Sequence, residues 1–211
     1  MQTDKIKIRS NGEGAEKALE ETARFSVYMG ADSKSALQLR LLSEETISMV
    51  NAITGECEAV FWLESVKERL CRIHLEARTS MDYIKKQELI DVSTDKRNSA
   101  AKGIMGKIRE LIETGLYSID RIGQLKMEYG ETPVMYGTMG RCDVETASMN
   151  ACIYQWSLEK YRKGMEEAER KEENLGEEWD ELEKSIVANI ADDVRVAVSG
   201  DHVELVLEKR I

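Results

Sequence analysis

Apolar and polar positions change period along this chain, and the changes mark its elements. Residues 4 to 10 alternate, with Ile6 and Ile8 between Lys5, Lys7 and Arg9, which predicts a short half-buried strand. Asn11-Gly12-Glu13-Gly14 reads as a turn. From Ala15 to Met29 the spacing is helical, through Ala18, Leu19, Thr22, Phe25 and Val27, and Gly30 supplies a stop. Asp32 or Ser33 is placed to cap a second helix. Its apolar stripe is read as Leu37, Leu41, Leu42, Met49, Val50 and Ile53, with Gly55 ending it. Cys57 to Leu63 and Leu70 to Ala77 are then two strands of a hairpin, followed by an amphipathic helix over Met81 to Val92.

The middle has a different texture. After the polar residues 93 to 99, helices are predicted from Ala100 to about Thr114 and from Ser118 to Glu128. Residues 129 to 142 hold Gly130, Gly137, Gly140 and Pro133, the only proline, and read as a loop. The pattern from Thr146 to about Asn174 predicts one long helix, densely charged in its second half. Glu177 to Asn189 is a further helix, with Leu182, Ile186, Val187 and Ile190 on one face. Val194 to Val198 and Val203 to Leu207, joined through Ser199-Gly200-Asp201, form a β-hairpin.

Strands at both ends must share a sheet to bury their apolar faces. The expected fold class is therefore α/β (α+β), a two-layer sandwich whose mixed sheet is covered by helices on one face. Residues 1–211 are read as a single domain, with a large helical insertion over about 95–175.

Composition narrows the function classes. The chain has 211 residues, 42% hydrophobic and 33% charged, ordinary for a globular domain. Its net charge of -10 disfavours nucleic acid and an anionic membrane surface as partners. Cys57, Cys71, Cys142 and Cys152 form no CxxC pair, and His74 and His202 are the only histidines, so no zinc or other metal site is expected. Sparse thiols and no signal-like apolar start fit a cytoplasmic protein. No apolar run approaches the roughly 20 residues of a membrane span.

Three passages offer candidate chemistry. Lys96, Arg97, Asn98, Lys102, Gly103, Gly106 and Lys107 form a basic, small-residue segment that could seat an anion or, equally, a solvated helix start with glycines for close packing. The acidic stretch from Glu166 to Glu183 reads as a solvated face or a contact for a basic partner. Glu44 and Glu45 read as an exposed acidic patch or as a vestigial catalytic acid.

Residues 18–50, the paired strands 57–77 and the ending 185–211 together resemble the GHKL, or Bergerat-fold, superfamily of histidine-kinase-like ATPases, in particular the anti-sigma-factor serine kinases. In that family a glutamate and an asparagine four residues later share a helical face, and the asparagine helps hold Mg²⁺ on ATP. Here Glu44 stands opposite Ser48, Glu45 opposite Met49, and Asn51 opposite Ile47. The family's Asp-x-Gly-x-Gly segment falls on Ala77 to Asp82, which holds no glycine, and its second glycine box falls on Gly176 to Glu181. The resemblance thus implies a degenerate regulatory protein that binds a sigma factor or an anti-sigma antagonist, with ATP binding reduced or lost. It leaves a homodimer open. The alternative it implies is an active serine kinase that holds ATP and Mg through Ser48, Asn51 and the Lys102–Lys107 segment.

Overall fold

Strand alternation and helix number together set the architecture. The computed structural model describes residues 1–52, 57–66, 69–79, 153–169, 185–199 and 201–211, with the single positions 106, 108, 109, 112, 115 and 182. Its strands are β1 (Ile6–Arg9), β2 (Cys57–Ser65), β3 (Leu70–Thr79), β4 (Ile153–Ser157), β5 (Asp193–Ser199) and β6 (His202–Arg210). Its helices are α1 (Ala15–Tyr28), α2 (Ser33–Ala52), α3 (Leu158–Glu169) and α4 (Ile186–Ile190). The strands form one sheet in the order β1-β2-β3-β6-β5-β4.

The fold is α+β, as the pattern predicts, but the sheet is not mixed: each pairing among the described strands is antiparallel. Two features explain this. β2–β3 and β5–β6 are local hairpins, which are antiparallel by construction. Between β1 and β2 the chain makes two helical passes rather than one, so it enters β2 running opposite to β1.

One face of the sheet carries Ile6, Ile8, Ala59, Phe61, Leu63, Cys71, Ile73, Leu75, Val194, Val196, Val198, Val203, Leu205 and Leu207, all buried in one core with the helices. Each large side chain fully buried there contributes about 1.5–3 kcal/mol.

The α1–α2 pair is held by its ends. Gly14 precedes α1 with φ 87°, a left-handed conformation that favours glycine. Gly30, at φ 62°, closes α1 in a Schellman motif: its N–H donates to Val27 O and that of Ala31 to Ser26 O. Asp32 caps α2 by accepting from Ser35 N at 2.7 Å.

Two stripes shift in phase from the sequence reading. Val27 is 80% exposed, because it lies nine residues, half a turn out of phase, from Ala18. On α2 the inner face is Leu39, Leu42, Ser43, Thr46, Ile47, Met49 and Val50, and Leu37 points outward at 57% exposure. The buried hydroxyls are satisfied: Thr22 Oγ1 donates to Ala18 O at 2.9 Å and lies 3.1 Å from Ser43 Oγ, and Thr46 Oγ1 donates to Leu42 O at 2.7 Å.

The expected long helix over 146–174 is corrected. Residues 153–157 are strand β4, and helix begins only at Leu158. The β-prone Ile153-Tyr154-Gln155-Trp156 run pairs with β5, and Ser157 starts the helix by accepting from Lys160 N at 3.3 Å. The insertion is therefore not purely helical. The expected helix 177–189 is likewise broken at Ser185, whose Oγ caps α4 by accepting from Ala188 N at 3.2 Å. Within the expected helix 100–114, Ile108 and Ile112 are helical and buried in the main core. The expected helices 81–92 and 118–128 and the loop 129–142 lie outside the described residues.

Candidate functional site

The antiparallel registers line up the side chains of the second sheet face into rows. One row runs Trp62, His74, Val206, Arg195, Ser157. A second, two residues along, runs Glu64, Arg72, Glu208, Asp193. A third, on the other side, runs Val60, Glu76, Glu204, Ala197, Gln155. This face carries charge and aromatic surface where the opposite face carries aliphatic core.

The second row is an ion-pair network. Arg72 Nε donates to Glu208 Oε1 at 2.8 Å, and Arg195 donates to that same oxygen. Arg72 also lies 3.9 Å from Glu64, and Arg195 Nε lies 3.7 Å from Asp193. Glu208 is thus a shared counter-ion that orients two guanidinium groups side by side.

An aromatic stack flanks it. Trp62 and His74 are parallel, with ring centroids 4.6 Å apart, and Lys5 Nζ sits 4.0 Å from the Trp62 ring centre. His74 Nε2 is 3.3 Å from Glu64 Oε2. The neutral tautomer that donates this bond leaves Nδ1 as a lone-pair acceptor. Nδ1 is buried and has no hydrogen-bond partner. Burial lowers the His74 pKa from its ordinary value, opposed by the bond to Glu64. The imidazole is therefore neutral at pH 7.

Between these groups and β4 lies an open groove of about 450 Å³, lined by Arg72, His74, Gln155, Trp156, Ser157, Lys160, Arg195, Val196, Ala197, Glu204 and Val206. Val206 and Ala197 give it an apolar floor. Lys160, from the first turn of α3, and Glu204, from β6, reach it with no ion pair among the described residues. Such an arrangement suits a small polar ligand with an apolar body.

The residues singled out from sequence lie elsewhere. Glu44, Glu45 and Ser48 are on α2, away from the inner face. Glu44 accepts from Arg40 Nε at 2.9 Å, and Ser48 Oγ donates to Glu45 O at 2.7 Å. Asn51 is in the last turn of α2. Gly106 is a buried helical position, while Lys96, Arg97, Asn98, Lys102, Gly103 and Lys107 lie outside the described residues. Among the described residues, no group of three or more His, Cys, Asp or Glu side chains could hold a metal ion. Cys71 is buried, and desolvation pushes its thiol pKa up to about 12, so it is not a thiolate nucleophile. No described helix is long and apolar enough to cross a membrane.

Of the groove residues, the sequence singles out only His74, as one of two histidines. Arg72, Arg195 and Glu204 were legible as the polar half of alternating strands, but only register places them together. Comparison with known proteins returns no match to a family model, a curated protein or a solved structure.

Proposed function

We propose that this chain is a regulatory binding protein of the anti-sigma type its sequence resembles, acting through a protein partner, with nucleotide binding reduced or lost. The observation that carries this reading is the state of α2. Glu44, the acid nearest the family's motif, is held by Arg40 at 2.9 Å. Ser48, standing where the metal-binding asparagine would be, donates its hydroxyl hydrogen to its own helix. Neither side chain is poised toward a Mg-triphosphate, and Met49 is turned into the core.

Exposed apolar side chains at the turn between α1 and α2 support the partner half of the reading. Val27 and Tyr28 end α1 and Leu37 lies early in α2, all more than half exposed. By the resemblance, the partner is a transcription regulator, a sigma factor or its antagonist.

Titration calorimetry with Mg-ATP, run beside a serine-kinase assay, tests the nucleotide half. The expected outcome is no saturable heat and no phosphoryl transfer. Tight Mg-dependent binding with turnover would establish the active-kinase alternative instead. Co-purification of the chain with each sigma factor and anti-sigma antagonist of its source cell tests the partner half. A stoichiometric complex weakened by Tyr28→Ala is expected, and failure of every pairing refutes it.

A further inference from the structure

We infer that the groove on the second sheet face binds a small zwitterion, with a carboxylate at its Arg195–Lys160 end and an ammonium or guanidinium at its Glu204 end. The inference is independent of the partner reading, since it concerns the face of the sheet opposite the helices.

Three observations carry it. First, the groove holds charges of both signs with free capacity. Lys160 and Glu204 line it, and among the described residues neither is in an ion pair. Arg72 and Arg195 converge on one carboxylate oxygen of Glu208. A guanidinium has five N–H donors, so each retains donors for a second anion. Second, the charges are segregated. Arg195 pairs across from Val206, while Glu204 pairs across from Ala197, one row further along β6. Glu204 is four residues from Glu208, beside which the two guanidiniums gather. At about 3.4 Å per residue, the two ends are about 7–14 Å apart. Third, the floor between them is apolar, formed by Val206 and Ala197. It would cover a short methylene chain.

A simple anion would meet Glu204, and a simple cation would meet Arg195 and Lys160. Only a ligand carrying both charges, separated by an apolar spacer, satisfies both ends without leaving one unpaired. An ω-amino acid or a basic α-amino acid has this form.

The test uses the isotope-labelled full chain and amide-resolved NMR titrations with three probes: ε-aminocaproate, caproate and hexylamine. Saturable shifts with ε-aminocaproate, in residues of β4, β5 and β6, are expected. Caproate and hexylamine, each lacking one charge, should bind roughly tenfold more weakly or less. Glu204→Gln should abolish the preference over caproate, and Lys160→Gln should reduce the preference over hexylamine. Neither side chain has an ion pair among the described residues, and unchanged melting temperatures would verify that the variants fold. Equal affinity for all three probes, no saturable shift with ε-aminocaproate, or an unchanged ε-aminocaproate-to-caproate ratio in Glu204→Gln would each overturn the inference.

Discussion

Two glycines, three and five residues beyond β1, share a left-handed φ but not an environment, and this separates two costs that usually come together. Gly12 and Gly14 both have φ 87°. A Cβ built on Gly12 meets nothing within 4 Å, whereas one built on Gly14 collides with the backbone carbonyl of Lys7. Gly12→Ala therefore reports conformational strain alone, about 1–2 kcal/mol for an L-residue held left-handed, partly offset by about 0.4–1 kcal/mol from a less flexible unfolded chain. Gly14→Ala carries that strain and must also move β1 or the start of α1. Lys7 is paired with Val60 at the sheet edge, and its neighbour Ile8 is fully buried. Loosening Ile8 alone forfeits about 1.5–3 kcal/mol. The expected costs are about 1 kcal/mol for Gly12→Ala and about 2.5–4 kcal/mol for Gly14→Ala. For a chain of this size that corresponds to roughly 2–4 °C and at least about 5 °C in Tm. Urea unfolding followed by circular dichroism measures both. Equal destabilisation, within about 0.5 kcal/mol, would refute the claim that β1 and α1 touch at Gly14.

Further expectations concern buried polar groups. Because the folded pKa of His74 lies below its unfolded value near 6.5, the unfolded chain binds the extra proton. This contribution to stability is fully present above about pH 6.5, is lost as pH falls from there through the folded pKa, and is then flat. His74→Phe, which keeps the stack on Trp62, should remove that slope from a series of unfolding curves taken between neutral and acid pH. The Thr22–Ser43 hydroxyl pair offers a double-mutant cycle. Thr22→Val leaves the buried Ser43 hydroxyl without its hydrogen-bond partner and should cost about 1–3 kcal/mol, and adding Ser43→Ala should recover part of that. Strict additivity of the two substitutions would show that the hydroxyls do not interact.

Much of the frame was legible because its signals are local. The 57–77 and 194–207 hairpins, the Gly30 stop and the Asp32 cap each follow from a few adjacent residues. The α2 stripe was misread because leucines at Leu37 and Leu41 outweighed Ser43 and Thr46, whose hydroxyls reach the interior only because Thr22 and the Leu42 carbonyl meet them. Sheet direction depended on the two-helix connection between β1 and β2, which pattern alone did not convert into strand sense. β4 was hidden because the Ile-Tyr-Gln-Trp run is short and leads directly into α3. The groove was the least legible feature. Its residues come from β3, β4, β5, β6 and α3, and their meeting is a property of register rather than of any motif.

The β3–β6 ladder at the centre of the sheet has a consequence for how the chain acquires its shape. It joins Arg72 to Glu208 across 136 residues of sequence. During synthesis at about 5–20 residues per second, β3 emerges roughly 7–27 s before its partner. Through that interval β3 lacks its β6 partner, so a β1-β2-β3 unit formed early would have an unpaired inner edge. The β5–β6 hairpin is local whereas β3–β6 is long-range, so the β3–β6 pairing is expected to limit the folding rate. The alternating Arg72, Glu76 and Arg78 on β3 place charges along the waiting edge, the kind of residue that discourages a wrong strand from adding there first.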